Sequence, residues 1–343
     1  MKIKDGAFYD TLTRFLDVYL VKNRSCSSNT VKAYEDTLKL YLLFLKEVKN
    51  TPREKVTWEC FCRQNVLDFL DWLEQTRNCT GSTKAQRLAA IRSFVRYGAI
   101  LDLRVMAVQA DVDKIEFKKP AGKLVGYLSQ EELAVFLAQP NPAKRTGLRD
   151  MVFLSLMYDT AARCQEMLDL KIENLKLNGK HPAVYLSGKG QTDRVVPLME
   201  KTAENMRRYL KRFHPAKTRK NSDYVFYTHH VAHRMSADNV AAFVQKYGEM
   251  ARAICPSIPE RVHPHMLRHT RAMHLYQGGM DLKAIADLLG HKHVETTRIY
   301  AFADTEMKRE AVRKATRSLQ NPPPEPIWDP DDKEMMQKLK GKK

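Results

Sequence analysis

The sequence predicts a mainly α protein in two domains, with a small β-hairpin or sheet confined to the second. Three observations carry that expectation. Apolar residues recur at helical spacing through the first 110 or so positions. A Pro- and Gly-containing, lysine-rich segment near residue 120 then interrupts the pattern. Beyond it, only residues 183–187 and 194–198 read as strands, and a glycine-bearing turn joins them.

Residues 1–112 read as a four-helix domain. Phe8, Leu12, Phe15, Leu16 and Tyr19 mark the first helix, and Val31, Tyr34, Leu38, Tyr41, Leu42 and Leu45 the second, with Ser28-Asn29-Thr30 as its N-cap region. Val66, Phe69, Leu70 and Leu73 mark the third. The fourth, residues 80–101, carries Lys84, Arg87, Arg92 and Arg96 and no acid at all. Aromatic residues such as Phe15, Tyr34, Phe44 and Trp72 sit in the apolar stripes, which assigns them to the core. Residues 113–126, with Lys118 and Lys119 before Pro120, form a basic linker. The second domain, residues 127–320, opens with Ser129 as N-cap and Glu132 three residues on, a capping box. Helical pattern runs from Arg149 to Leu168, the hairpin follows, and helices resume at residues 201–212 and 237–254. Residues 321–343 form a charged tail that begins with a proline cluster.

Charge bounds the partners. The 343 residues hold 58 Lys plus Arg against 40 Asp plus Glu, a formal net charge of +18. Such an excess favours a polyanion, and nucleic acid or an anionic membrane surface fits. No apolar run approaches the roughly 18 residues that span a bilayer, and no apolar stretch follows the first lysines as in a secretion signal. The expectation is a cytoplasmic protein, associated with the nucleoid when bound to DNA, that makes no membrane contact. Cysteines 26, 60, 62, 79, 164 and 255 lack Cys-x-x-Cys spacing and read as reduced, mostly buried thiols.

Five places in the second domain carry chemistry. Arg163, in Thr160-Ala161-Ala162-Arg163-Cys164-Gln165-Glu166, reads alone as an ion-pair partner of Glu166 or Asp169, or as a fork for phosphate oxygens. Lys189 stands between two glycines at the hairpin turn. His265 and Arg268 lie at i and i+3 in His-Met-Leu-Arg-His-Thr, which puts them on one helical face. His291 follows a helix that ends at Gly290. Tyr300 comes nine residues later. The clustered histidines lack a completing carboxylate or thiolate and show no His-Glu-x-x-His, so no metal site is expected. Together the residues suit metal-free phosphoryl transfer, in which positioning and charge stabilisation do the catalysis. Arg163 and Arg268 would clamp the non-bridging oxygens and His291 would add a hydrogen bond. Tyr300, with an ordinary pKa of about 10, would attack phosphorus with His265 as base, and Lys189 would protonate the leaving 5′ oxygen. No cofactor is needed, since a phosphotyrosyl bond stores the energy for rejoining.

In order and spacing these boxes resemble the tyrosine recombinase (phage integrase) family. Thr-Ala-Ala-Arg-x-x-Glu, Gly-Lys-Gly followed by Arg194-Val-Val-Pro-Leu, His-x-Leu-Arg-His-Thr, Leu-Gly-His and Tyr300 occur in the family's sequence, with Ala161 in place of the usual Gly. Asn29-Thr-Val-Lys-Ala-Tyr and the basic fourth helix resemble the family's core-binding domain. The resemblance implies a helical core-binding domain and a mixed α/β catalytic domain forming a C-shaped clamp on duplex DNA. Lys84, Arg87, Arg92, Arg96, Lys118 and Lys119 would then bind DNA. It further implies a 3′-phosphotyrosyl intermediate, a Holliday junction, a homotetramer on synapsed sites, and accessory DNA-bending proteins as possible partners. A helix over residues 306–319 would pass between protomers. The extended tail favours a mobile-element enzyme that integrates and excises. The alternatives are a type IB-like topoisomerase with the same tyrosine chemistry, and a non-catalytic regulator using the helix-turn-helix pattern of residues 282–300.

Overall fold

The computed structural model describes residues 6–116, 126–188, 192–228, 233–291 and 293–303. Lys118, Lys119, Lys189, the expected helix at 306–319 and the tail lie outside the described residues. The chain divides into two compact units, Met1–Gly122 and Lys123–Lys343. No described helix is long and apolar enough to cross a membrane.

In the first unit, α1 (Gly6–Arg14) runs on as a π-helix over Phe15–Asn23 and is followed by α2 (Ser28–Glu47), α3 (Arg63–Arg77), α4 (Gly81–Leu101) and α5 (Val105–Asp113). Side-chain oxygens start two of these helices: Ser27 accepts from the Thr30 amide and Thr80 from the Thr83 amide. Helix α5 has no counterpart in the sequence expectation. It buries only Val105 and Val112, two turns apart, too sparse a stripe to register as a helical period. Packing continues past it, because Ile115 is buried in the same core. That core is aromatic: Phe8, Phe15, Tyr41, Phe44, Phe61, Phe69 and Phe94 are wholly buried. Tyr34 and Trp72 are half-buried at its edge, with Tyr34 stacked on Phe15 and Trp72 on Phe69.

The second unit begins with α6 (Gln130–Leu137), and its capping box forms as expected. The Glu132 amide donates to Ser129 Oγ at 3.2 Å, and the Ser129 amide donates to the Glu132 carboxylate at 2.8 Å. Helix α7 (Arg145–Thr160) stops where continuous helix was expected, and α8 (Cys164–Leu168) starts after a three-residue break. Ala161 makes the break by adopting left-handed backbone geometry, φ 49° and ψ 29°. A three-stranded antiparallel sheet follows, in the order β1 (Leu175–Lys176), β2 (Ala183–Gly188), β3 (Thr192–Pro197). Leu186 on β2 faces Arg194 on β3. The remaining helices are α9 (Glu200–Phe213), α10 (Ala237–Ile254), α11 (Pro264–Gln277), α12 (Leu282–Leu289) and the short α13 (Arg298–Ala303). The six cysteines are free and half-buried, more open than expected.

Two apolar clusters hold this unit. The larger gathers α6 to α11 and the sheet around Phe153, Phe226 and Tyr209. The smaller joins Ala161, Ala272, Met273, Ile285, Leu289 and Tyr300. Ala161 therefore combines strain with burial. Left-handed geometry costs a side-chain-bearing residue about 1–2 kcal/mol, while its buried methyl returns about 0.8 kcal/mol. Ala161→Gly is accordingly expected to leave stability within about 1 kcal/mol of wild type, the two terms nearly cancelling. Ala161→Val adds β-branching and bulk to a filled cluster, and a loss of about 2–4 kcal/mol is expected in urea unfolding. A valine variant as stable as wild type would contradict this geometry.

Candidate active site

Five of the six residues singled out for catalysis converge where α8, α11, α12 and α13 meet, and the sixth, Lys189, lies outside the described residues. Arg163 is the N-cap of α8. Its backbone amide and its Nη1 each donate to the Glu166 carboxylate at 2.8 Å, and its Nη2 donates to the Gly290 carbonyl at 3.2 Å. Both readings open from sequence are compatible here, since Arg163 is paired with Glu166 yet its side chain stays 33 % exposed. Arg268, on α11, is buried, and its fork reaches two helix ends. Nη1 donates to the Ala161 carbonyl at 2.7 Å and Nη2 to the Leu289 carbonyl at 2.6 Å. Burial, helped by the neighbouring Arg163 charge, lowers the Arg268 pKa to about 10, so it remains cationic at neutral pH.

The break at Ala161 and the end of α12 serve this arrangement directly. A carbonyl at a helix C-terminus carries partial negative charge and needs a donor. Left-handed residues at both ends, Ala161 and Gly290 (φ 64°), terminate the helices beside the arginines. A side chain at Gly290 would place its Cβ 3.1 Å from Arg194 Nη1, so glycine also makes room for that guanidinium.

Tyr300 is completely buried. Its hydroxyl lies 2.9 Å from Nδ1 of His269, and with the ring proton on Nε2 the phenol donates to that nitrogen. Burial pushes the tyrosine pKa up to about 12, against a smaller lowering by Arg268. Burial likewise drives His269 down to about 4, reinforced by His265 and Arg268. The imidazole is therefore neutral at physiological pH, with a ring nitrogen free to accept the phenolic hydrogen bond. His265, the base expected from sequence, lies one turn earlier on α11, its ring 6.4 Å from that of His269. Partial burial and then Arg268 lower its pKa too. Among the described hydrogen bonds, the phenol's partner is His269 and not His265. His291 sits just past Gly290 with Nδ1 2.9 Å from Thr297 Oγ1, and burial followed by Arg268 lowers it to about 4. With the Thr297 hydroxyl donating to Nδ1, the proton of neutral His291 stands on Nε2.

These depressed values make stability depend on pH. His269 and His291 titrate near 4 when folded and near their ordinary value of about 6.5 when unfolded. Between those limits the unfolded chain binds more protons, so their contribution is complete above pH 6.5 and is lost as pH falls toward 4. Urea unfolding between pH 4.5 and 7 is expected to show stability rising with pH, with a shallower rise in a His269→Gln/His291→Gln variant. An identical slope in that variant would exclude these two groups as the cause.

Glu166 and Arg194 were not singled out as site residues, yet they form the floor of the site. Burial raises the Glu166 pKa, but its bonds from Arg194 and Arg163 outweigh this and leave it below the usual carboxylate range. The signal was present in the Arg-x-x-Glu spacing and in Arg194 of the Arg-Val-Val-Pro-Leu run, but only the folded hairpin brings Arg194 to Glu166. His269 was visible as part of the His-Thr pair after Arg268, without a role.

The four basic residues expected to bind DNA on α4 divide by environment. Lys84 pairs with Glu74. Arg87 donates to Thr37 Oγ1 at 2.8 Å and to the Ala33 carbonyl, tying α4 to α2. Arg92 donates to the carbonyls of Val112, Asp113 and Ile115, the C-terminal end of α5. Arg96 approaches Asp113 at 3.5 Å but keeps 60 % of its side chain exposed. Arg24, Arg92 and Arg96 share a shallow cavity of about 390 Å³ with Tyr19 and Tyr34.

Comparison with known proteins agrees with both units. The Phage integrase family pattern matches residues 126–307, and the pattern of its N-terminal SAM-like domain matches residues 12–99. A tyrosine recombinase of Pseudothermotoga lettingae is 30 % identical over 304 residues, covering 88 % of this chain and 97 % of the relative. Tyrosine recombinase XerD of Staphylococcus saprophyticus is 27 % identical, covering 89 % and 97 % respectively. In fold, the chain is similar to the Tn1549 transposon integrase in complex with transposon right end DNA, with a TM-score of 0.67 at 14 % identity over 94 % of this chain and 100 % of that one. With a family pattern spanning more than half its length and a relative at 30 % identity along most of it, the chain belongs to the phage integrase family of tyrosine recombinases, enzymes that cleave and rejoin DNA.

Proposed function

We propose that this enzyme recombines specific duplex DNA sites through a 3′-phosphotyrosyl intermediate and a Holliday junction, integrating and excising a mobile element. The observation that carries the chemistry is the 2.9 Å contact between the Tyr300 hydroxyl and neutral His269, adjoining Arg268. In the assigned step, Tyr300 Oη bonds to the scissile phosphorus and the bond from phosphorus to the 5′ oxygen breaks. The phenolic proton passes to His269, and Lys189 supplies a proton to the departing 5′ oxygen. Arg163 and Arg268 hold the non-bridging oxygens, with His291 Nε2 as a further donor. The wide separation between a phenol near 12 and an imidazole near 4 keeps Tyr300 protonated at rest. Its proton therefore leaves as the bond to phosphorus forms, not before. His265 keeps a supporting place one turn from His269.

Of the four α4 bases Arg96 is the most exposed, and it is assigned to phosphates with the cavity it shares with Arg24 and Arg92, while Arg87 shapes the helix that presents them. Lys118 and Lys119 are assigned to the DNA backbone from sequence alone. Assembly as a tetramer on two synapsed sites, with bending proteins where the sites require them, completes the proposal. The extended, charged segment after residue 320 favours the mobile-element role over resolution of chromosome dimers.

The test uses the full chain with DNA from the flanks of its own gene, in EDTA, quenched with detergent. Nicked duplexes let the short leaving strand diffuse away and trap the intermediate. A covalent adduct on a 3′ phosphate, formed without metal, is the expected result. Its position, repeated at both ends of one element, identifies the mobile unit. Tight, specific binding without any adduct would instead favour a regulator, and relaxation of supercoils without recombinant products would favour a topoisomerase.

A further inference from the structure

We propose that Arg194 is a positioning residue for Arg163: it takes up the charge of Glu166, so that Arg163 keeps its own charge for the scissile phosphate. The proposal rests on the reading of Arg163 as a phosphate clamp and goes beyond it.

The geometry separates the two arginines. Both bind the same carboxylate, whose side chain is only 4 % exposed. Arg194 does so as a fork, Nη1 to Oε1 at 3.0 Å and Nη2 to Oε2 at 2.7 Å. Arg163 contributes one guanidinium nitrogen and its backbone amide to the same two oxygens. Arg163 keeps 33 % of its side chain exposed, whereas Arg194 keeps 8 %. Only Arg163 is placed to touch a ligand. Arg194 is enclosed under Gly290, and its buried Nε has no hydrogen-bond partner among the described residues. An orphaned donor is unfavourable, so hydrogen bonding alone is a poor reason to keep arginine there. Its fixed charge is a better one.

The charges make the argument quantitative. With the surrounding histidines neutral, the described residues of the site hold Arg163, Arg194 and Arg268 against Glu166, three positive charges and one negative. Two positive charges remain. A phosphodiester carries one negative charge and gains more on its oxygens as the nucleophile adds. Without Arg194, Glu166 would neutralise Arg163 by itself, and of the described guanidinium groups Arg268 alone would face that growing charge uncompensated. A bidentate arginine on the hidden side of the carboxylate removes this competition and fixes the direction in which Arg163 points.

Single-turnover adduct formation at saturating nicked DNA, together with binding affinity and thermal denaturation, tests the idea. Arg194→Met is expected to slow adduct formation about a hundredfold or more, the scale of losing one preorganised cation, with affinity changed less than about threefold. In Arg194→Met/Glu166→Gln the uncompensated carboxylate is gone, and at least about tenfold of the rate is expected to return. A merely structural bridge predicts the opposite, a double variant as slow as the single one or slower, and that result would overturn the proposal. Arg194→Lys keeps the charge if methionine at this place prevents folding. It is expected to retain a rate within about tenfold of wild type, and a folded lysine variant slower than that overturns the charge argument. Arg163→Ala is the control. If it is inactive while Arg194→Met matches wild type, the positioning role falls alone; if Arg163→Ala itself matches wild type, the clamp reading falls and this proposal with it.

Discussion

Replacing Tyr300 by phenylalanine is expected to abolish the covalent protein–DNA adduct while leaving specific binding intact. In the proposed mechanism the phenolic oxygen is the atom that becomes bonded to phosphorus, so its loss would remove the step entirely instead of slowing it. The structural cost is small by comparison. Phenylalanine fills the same cavity among Ala272, Met273, Ile285 and Leu289, and what disappears is the hydrogen bond to His269. One such bond contributes about 1 kcal/mol, equivalent to about 2–4 °C in melting temperature for a domain of this size. Gel-shift affinity, melting temperature and denaturing-gel adduct yield, measured on the same preparation, separate these effects. An adduct surviving Tyr300→Phe would place the nucleophile elsewhere.

The second large effect is expected at Arg268. Arg268→Ala removes a buried cation and leaves the carbonyls of Ala161 and Leu289 without their donor. Adduct formation is expected to fall by about 10²–10³, as when one preorganised charge donor leaves a transition state. Stability is expected to fall as well, since each orphaned buried carbonyl costs about 1–3 kcal/mol. Arg268→Lys distinguishes the two roles. It keeps a positive charge, but a single ammonium cannot span two helix ends as a planar fork does. The lysine variant should therefore recover part of the stability and little of the rate. Wild-type cleavage by either variant, measured on nicked duplex at saturating concentration, would remove Arg268 from the site.

Much of this site was legible in the sequence because its chemistry is local in sequence even where it is distant in space. Arg163, Arg268, His291 and Tyr300 each stand in a short box, and the fold brings the boxes together. What could not be read was which neighbour completes each one. His265 and His269 are one helical turn apart, and choosing between them requires knowing how α13 lies against α11. Arg194 looked like a strand residue because its partner Glu166 is 28 positions away. On α4, a run of bases without acids suggested one DNA-facing surface. Yet carbonyls at the end of α5, a helix invisible to periodicity, occupy Arg92, and α2 occupies Arg87. The fold boundaries that failed have similar causes. Ala161 lacks the glycine that announces left-handed backbone, and β1 is only two residues long.

The storage of Tyr300 has a consequence for the cell. A protein of net charge +18 will settle on almost any DNA it meets, held by phosphates regardless of sequence. Because Tyr300, the proposed nucleophile, lies wholly inside the protein and is tied to His269, such a visit would not in itself present it to a phosphate. Searching a genome is thereby separated from injuring it. Copy number can rise to speed the search without a matching rise in stray strand breaks, and the burden of fidelity falls on whatever opens a path for the phosphate to Tyr300 at the right site.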